Sequence, residues 1–314
     1  MRTIPSLVFL ALWLSAIPSR AATREFVAAF RDSSGAYVLS DDAAIYRLGS
    51  AHPSKLIQFS APHGGAYHWL NEPTSFVRWR DGWLVSDASS TLLSFRPNGT
   101  FDRRVELPVR ADRLAVSAGK LIVHNLLAST EAEQYWRSSD GVTVTRLSAS
   151  DATKFASPLD NLVIVSGSEH GELYSGILIG APLLRVISED GKERKIAVAY
   201  TRTRARASFE HPRGIVDDIS GYSQPMRDLY APAAGGVVVL RNREDVKDAA
   251  GKPSPYVGRR ADLYDGTGRH LATAVFPVTV RWVVSADFKT IACVTKDGDP
   301  YQAAWGKPIE GGVW

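Results

Sequence analysis

The chain has 314 residues, of which 37 are Lys or Arg and 33 are Asp or Glu, and its 45% hydrophobic and 22% charged content is that of an ordinary globular protein. The near-balanced charge gives no ground for nucleic-acid binding. A single cysteine, Cys293, excludes an internal disulfide, and its apolar neighbours read it as a small buried hydrophobe.

The amino terminus reads as a signal peptide over residues 1–21. Arg2 supplies the positive region, Leu7 to Ile17 the apolar run, and Ser19 and Ala21 the small residues before cleavage. The apolar run is shorter than the ~20 residues of a membrane span, and no later segment approaches that length. The expectation is export to the periplasm or the exterior, with no membrane span after cleavage. Removing Arg2 and Arg20 leaves 35 Lys and Arg against 33 acids, a net charge of +2 on residues 22–314.

Beyond residue 21 one short pattern recurs: a tight turn, then β-branched and aliphatic residues, then a polar one. It runs Gly35-Ala-Tyr-Val-Leu-Ser-Asp41, Gly82-Trp-Leu-Val-Ser-Asp87, Gly119-Lys-Leu-Ile-Val-His-Asn125 and Asn161-Leu-Val-Ile-Val-Ser166. Gly236-Val-Val-Val-Leu240 and Lys289-Thr-Ile-Ala-Cys-Val-Thr295 complete it. A hairpin turn follows each of the first five, at Gly49, Gly99, Gly141, Gly191 and Gly266. Asn-Gly and Asp-Gly supply the positive φ that such turns require. The spacing is about 50, 42, 50 and 75 residues, where a four-stranded blade takes roughly 40–50. The last gap is therefore a blade plus an insertion. No long 3.6-residue apolar period interrupts the series.

These repeats predict an all-β chain: one β-propeller of six four-stranded blades over residues 22–314, with an insertion at about 200–226. The blades run approximately 23–60, 73–108, 110–148, 155–199, 227–277 and 279–314. A seventh blade within 200–226 is the alternative. The last blade takes its fourth strand from Ile309 to Trp314 or from the amino-terminal segment.

Phe76 to Pro108, with Val85-Ser-Asp87, the Asn98-Gly99 turn and the closing Leu107-Pro108, resembles one blade of a bacterial six-bladed propeller of NHL-repeat type. The resemblance implies the fold; the superfamily spans enzymes, receptors and scaffolds, so it does not imply an activity.

Strands alternate direction within a blade, so its loops sort by face. Connections from first to second and from third to fourth strand are short. The long connections, 60–73, 125–134, 200–226 and 241–260, join second to third strands or successive blades and fall on the other face. Long loops on a rigid scaffold collect binding residues. The candidates are His63, His68 and Trp69 in the first, which mix imidazole and aromatic groups as a sugar or peptide site does. In the third they are Arg202, Arg204, Arg206, His211, Arg213 and Tyr222; alternating arginines on an extended segment share one side and suit carboxylates or phosphates. Solvated loop charges are the plainer reading of the same residues.

Asp41, Asp87 and Asn125 hold equivalent blade positions. They read either as a polar ring at the channel mouth able to hold a cation, or as side chains closing strand-end turns. No zinc-protease helix motif, Gly-x-Ser-x-Gly elbow or dinucleotide fingerprint is present. The leading functional expectation is a monomeric, exported, non-catalytic propeller without a cofactor, recognising a protein, peptide or glycan through its long-loop face. A calcium-dependent lactonase or phosphoesterase is the first alternative, with Asp41, Asp87, Asn125, Glu169 and Asp299 as candidate positions. A lyase or hydrolase using His211, Arg213 and Tyr222 is the second.

Overall fold

A strand can follow a tight turn into a sheet only where its first residue leaves room for the neighbouring backbone. A Cβ on Gly82 would collide with the carbonyl oxygen of Phe95, and one on Gly236 with that of Tyr264. These glycines open the second strands of two blades, which explains why the glycine recurs there in the sequence.

The computed structural model describes residues 26–49, 52–60, 73–87, 89–147, 155, 161, 163–177, 183–197, 207–211, 214–218, 226–241, 259–295 and 297–309. Six antiparallel sheets form the ring. Blade one holds β1 (Phe26–Asp32), β2 (Gly35–Ser40), β3 (Ala44–Leu48) and β4 (Ser54–Gln58). Blade two holds β5 (Ser75–Trp79), β6 (Gly82–Ser86), β7 (Thr91–Phe95) and β8 (Phe101–Glu106). Blade three holds β9 (Arg113–Ser117), β10 (Lys120–His124), β11 (Tyr135–Ser138) and β12 (Thr145–Arg146). Blade four holds β13 (Val163–Gly167), β14 (Leu173–Ile177), β15 (Leu183–Ile187) and β16 (Glu193–Ala197). A hairpin of β17 (Ala207–His211) and β18 (Gly214–Asp218) lies in the insertion. Blade five holds β19 (Met226–Tyr230), β20 (Val237–Arg241), β21 (Arg260–Tyr264) and β22 (His270–Val275). Blade six holds β23 (Trp282–Ala286), β24 (Thr290–Val294) and β25 (Pro300–Ala304).

The fold class and the count of six blades are as expected, and among the described residues the insertion shows the two strands of one hairpin. Three particulars differ. Asn161–Ser166 supplies a first strand, β13, not a second one, because blade four turns between its first two strands through Ser168–Glu172. The outer turn of blade five depends on Gly268 at φ +92°, not on Gly266. Blade six shows three strands among the described residues. Ile309 does not add to it: its N–H donates to Thr273 Oγ1 at 3.1 Å and its carbonyl accepts from Arg260, both in blade five.

The outer turns share one geometry. The N–H of Gly99, Gly191 and Gly268 returns to the carbonyl three residues back, at 2.9, 2.9 and 3.0 Å, with φ between +82° and +92°. A glycine suits that left-handed position in a three-residue hairpin loop. Each turn leans on the preceding blade. Gly99 meets Ile57 and Gln58, Gly141 meets Trp79, and Gly268 meets Ile196. Glu189 of blade four pairs with Lys120 of blade three. Blade one leans on blade six in the same way, Pro53 meeting Gly298 and His52 lying 3.5 Å from Asp299.

Apolar clusters fill every junction. One runs through blades one to three and includes the stacked pair Phe59 and Phe95, 4.2 Å between centroids. Others join blades three and four, four and five, and five and six. The last joins Phe26, Val38 and Tyr46 of blade one to Trp282 and Val294 of blade six. The ring therefore closes by side-chain packing of the kind used between all its blades.

Gly82→Ala tests the close approach. Its new methyl group meets backbone, which cannot rotate away, so the variant is expected to lose roughly 1–3 kcal/mol of stability. Gly119→Ala, where nothing lies within 4 Å but φ is +72°, bears only the backbone cost. Urea denaturation of both variants checks the order, Gly82→Ala being the less stable.

Candidate binding site at the channel mouth

The sequence-derived site residues lie mostly outside the described residues: His63, His68, Trp69, Arg202, Arg204, Arg206, Arg213 and Tyr222 all do. His211 ends β17, its backbone paired with Gly214, and its side chain is likewise outside. Each of the four long connections joins a second to a third strand or a fourth strand to the next blade, so the described strand ends that flank them share one face.

The five candidate metal positions do not converge. Asp41, Asp87 and Asn125 end second strands on the long-loop face. Asn125 Oδ1 accepts the N–H of Leu127 at 3.1 Å, closing its own turn. Glu169 sits in the first turn of blade four, on the opposite face, and Asp299 faces His52 on the rim. Among the described residues no three His, Cys, Asp or Glu side chains form a group able to hold a metal ion.

A cavity of about 460 Å³ does open in the channel, on the short-turn face. The ends of five first strands line it. Phe30, Leu114, Val116 and Val165 give it apolar walls, and Arg31, Arg78, Arg80, Glu169 and Tyr230 give it polar ones. A second cavity, about 670 Å³, lies between blades one and two and meets the first at Ser34 and Arg78. Hydrogen bonds between turns of successive blades hold the mouth open. Arg80 donates to the carbonyl of Ser139 at 2.7 Å, Ala118 N–H to that of Ser168 at 3.1 Å, and His170 Nε2 lies 3.0 Å from that of Ala233.

Arg31 lines the cavity and ties three blades together. It leaves β1, donates through Nε to the carbonyl of Val283 in blade six, and reaches Asp228 in blade five. Asp228 also accepts the N–H of Val283 at 2.8 Å. Burial pushes the Asp228 carboxyl above its usual range, and Arg31 only partly offsets that. Arg47 and Arg78, which line the second cavity, have no carboxylate within ion-pair distance among the described residues. Arg47 Nη2 donates to the carbonyl of Ser34 and Arg78 Nη1 to its hydroxyl, each at 2.9 Å. Glu169 of blade four shares the channel cavity with Arg78.

Two further buried polar networks lie away from the cavity. In blade five, Asp262 is fully buried and accepts from Arg241 at 2.7 Å, Arg260 at 2.8 Å and Thr273 at 2.8 Å. Burial opposes its charge, yet Arg241, His270 and Arg260 hold its pKa well below the usual carboxylate range. Between blades three and four, Asn161 Oδ1 accepts from Gln134 Nε2 at 2.6 Å and lies 3.0 Å from His124 Nε2. His124 therefore donates through Nε2, and its buried Nδ1 carries no proton and no partner among the described residues. Arg185, beside this network, grips Glu193 bidentately at 2.8 and 2.7 Å.

Sequence reading missed Arg31, Arg47, Arg78 and Arg80. The available signal was position: Arg31-Asp-Ser-Ser34 and Arg78-Trp-Arg80 both end first strands, so their charges meet at one mouth.

Six blades around a channel, with a polar cavity at one end, define a six-bladed β-propeller. No protein-family model matches the chain, and no curated protein does. Solved structures do. A gluconolactonase from Xanthomonas campestris is similar at a TM-score of 0.51 and 11% identity, over 90% of this chain and 86% of that one. A streptogramin B lyase is similar at 0.50 and 10%, over 91% and 84%. BamB from Moraxella catarrhalis aligns at 0.44 and 9%, over 89% and 85%. Identities this low show the fold alone.

His124 makes the fold sensitive to acid. Burial lowers its pKa to about 4, against an ordinary 6.5. Between those values the unfolded chain binds a proton that the folded one refuses. Stability is therefore expected to fall as pH drops from 6.5 towards 4, by about 3 kcal/mol at most, and the His124 contribution levels off below. Denaturation midpoints across this range check it, with His124→Gln showing the shallower slope.

Proposed function

We propose that the chain is a non-catalytic binding propeller that takes its ligand at the channel mouth of the short-turn face. The observation that carries this is a polar-edged, apolar-walled cavity whose neighbouring buried carboxylate, Asp228, is already committed to Arg31 and to the N–H of Val283. Groups whose ionisation is strongly shifted mark active sites when they meet in a cleft. Here His124 and Asp262 sit inside blades or between them, committed to structural partners, and Asp228 beside the cavity is committed to Arg31 and Val283. The cavity itself offers a pinned arginine, exposed charges, hydroxyls and apolar walls on a rigid frame, as a ligand site does.

Export to the periplasm or the exterior belongs to this proposal and rests on residues 1–21. The NHL-type character of the blades belongs to it too and rests on Phe76 to Pro108. The long loops, with His63, His68, Trp69, Arg202, Arg204, Arg206, His211, Arg213 and Tyr222, form a second surface for a protein, peptide or glycan. The absence of nucleic-acid binding and the monomeric state stand on charge balance and on the ring's self-closure.

A thermal-shift screen of short peptides, oligosaccharides, lactones and phosphoesters tests the reading, with turnover followed in parallel. Val116→Trp places an indole in the cavity. At least one compound is expected to raise the melting temperature of the native protein, since a ligand that binds only the folded state stabilises it. That compound should leave Val116→Trp unmoved and remain chemically intact. Hydrolysis of a lactone or phosphoester that Val116→Trp abolishes would show an enzyme instead.

A further inference from the structure

We infer that Arg47 and Arg78, gathered on Ser34, form an anion subsite that holds the carboxylate or phosphate end of the ligand. The inference rests on the channel-mouth reading and specifies its chemistry.

Three observations carry it. First, the two guanidinium groups converge on one residue. Arg47 takes the carbonyl of Ser34 and Arg78 its hydroxyl, both at 2.9 Å, so two positive charges are held side by side. Second, neither has a carboxylate within ion-pair distance among the described residues, whereas Arg31, Arg110, Arg185 and Arg194 each do. Of the acids beside them, Asp81 lines the cavity between blades one and two without pairing with either, and Asp32 spends its Oδ1 on the N–H and hydroxyl of Ser34. Asp32 thereby fixes the serine that positions both arginines. Third, the place is where a ligand would pass. Ser34 and Arg78 line both the channel cavity and the cavity between blades one and two.

Two like charges held together repel, and an anion between them relieves that repulsion. A guanidinium presents five donors in a planar fork, and each of these two has spent only one of its nitrogens on Ser34. The donors left over match the paired oxygens of a carboxylate or phosphate. Arg80, whose guanidinium donates to a neutral carbonyl and also lacks a carboxylate partner among the described residues, adds to the positive potential. Glu169, across the channel, repels the anionic end and so orients the ligand with that end towards blades one and two.

Titration calorimetry on the full-length protein tests this with triglutamate, inorganic phosphate and neutral triglutamine, at about 50 and 500 mM salt. Triglutamate or phosphate is expected to bind about tenfold or more tightly than triglutamine and to weaken with salt. The double variant Arg47→Gln, Arg78→Gln should lose that preference with its melting temperature unchanged, because both side chains are exposed. Arg78→Lys, which keeps charge but not the fork, should recover only part of it. Binding by phosphate alone assigns a phosphoryl group, and by triglutamate alone a carboxylate. Equal affinity for triglutamine, or a double variant that binds the anions as the native protein does, overturns the subsite and leaves the channel-mouth reading standing. Failure of all three probes, together with failure of the wider ligand screen, overturns both.

Discussion

The ion pair between Arg31 and Asp228 sits where the ring must close. Arg31 belongs to the first strand of the chain's first blade, and its guanidinium crosses the inner strand of blade six to reach blade five. Its acceptors lie 197 and 252 residues away in sequence. An ion pair out of water costs more in lost hydration than a surface pair, and it holds only if its geometry and extra hydrogen bonds compensate. Here Val283 supplies both: its carbonyl accepts from Arg31 and its N–H donates to Asp228. The three blades that meet at the closure are thereby fixed in one register, and Arg31 also lines the cavity.

The other buried polar groups follow the same logic at different junctions. Asn161 uses its whole amide. Its Oδ1 accepts from His124 and Gln134, and its Nδ2 donates to the carbonyls of Asn125 and Leu126 at 2.9 and 2.7 Å. It ties the loop before blade four to blade three, at a place where hydrophobic contacts alone would tolerate a shift. Asp262 anchors blade five to the returning chain, because Arg260 bonds both Asp262 and the carbonyl of Ile309. Such networks are costly when half satisfied and specific when complete. They explain why His124 and Asp262 lie deep in this protein and away from the cavity.

Much of the fold is legible in the sequence because its repeat is enforced by backbone geometry. Gly82 and Gly236 recur where a Cβ would strike a neighbouring strand, and Gly99, Gly141 and Gly191 recur where φ must be positive. Blade four misleads for the same reason. Its first turn, Ser168 to Glu172, copies the five-residue form of the outer turns, so no glycine marks the start of its second strand and Asn161–Ser166 reads one strand too late. The site was far less legible. Arg31 and Asp228 belong to no common local pattern, and Arg47, Arg78 and Arg80 look in sequence like ordinary solvated charges. Only the ring brings strand ends from blades one, two and four to a single mouth. The long loops drew attention by length, which says where the chain has freedom but not which end of the channel holds a cavity.

The lean of each outer hairpin towards the preceding blade gives the ring a direction of assembly. A chain synthesised from its amino terminus covers each blade as the next one emerges. Blade six has no successor, so it waits for His52 and Pro53, made some 240 residues earlier and left uncovered until then. Contacts that distant in sequence form late, since the intervening chain must first be ordered. The nascent molecule is thus an open arc with one unfinished edge at each end. A circular permutation that cut the chain between two other blades would transfer that waiting role to a different pair while keeping the contacts of the finished ring.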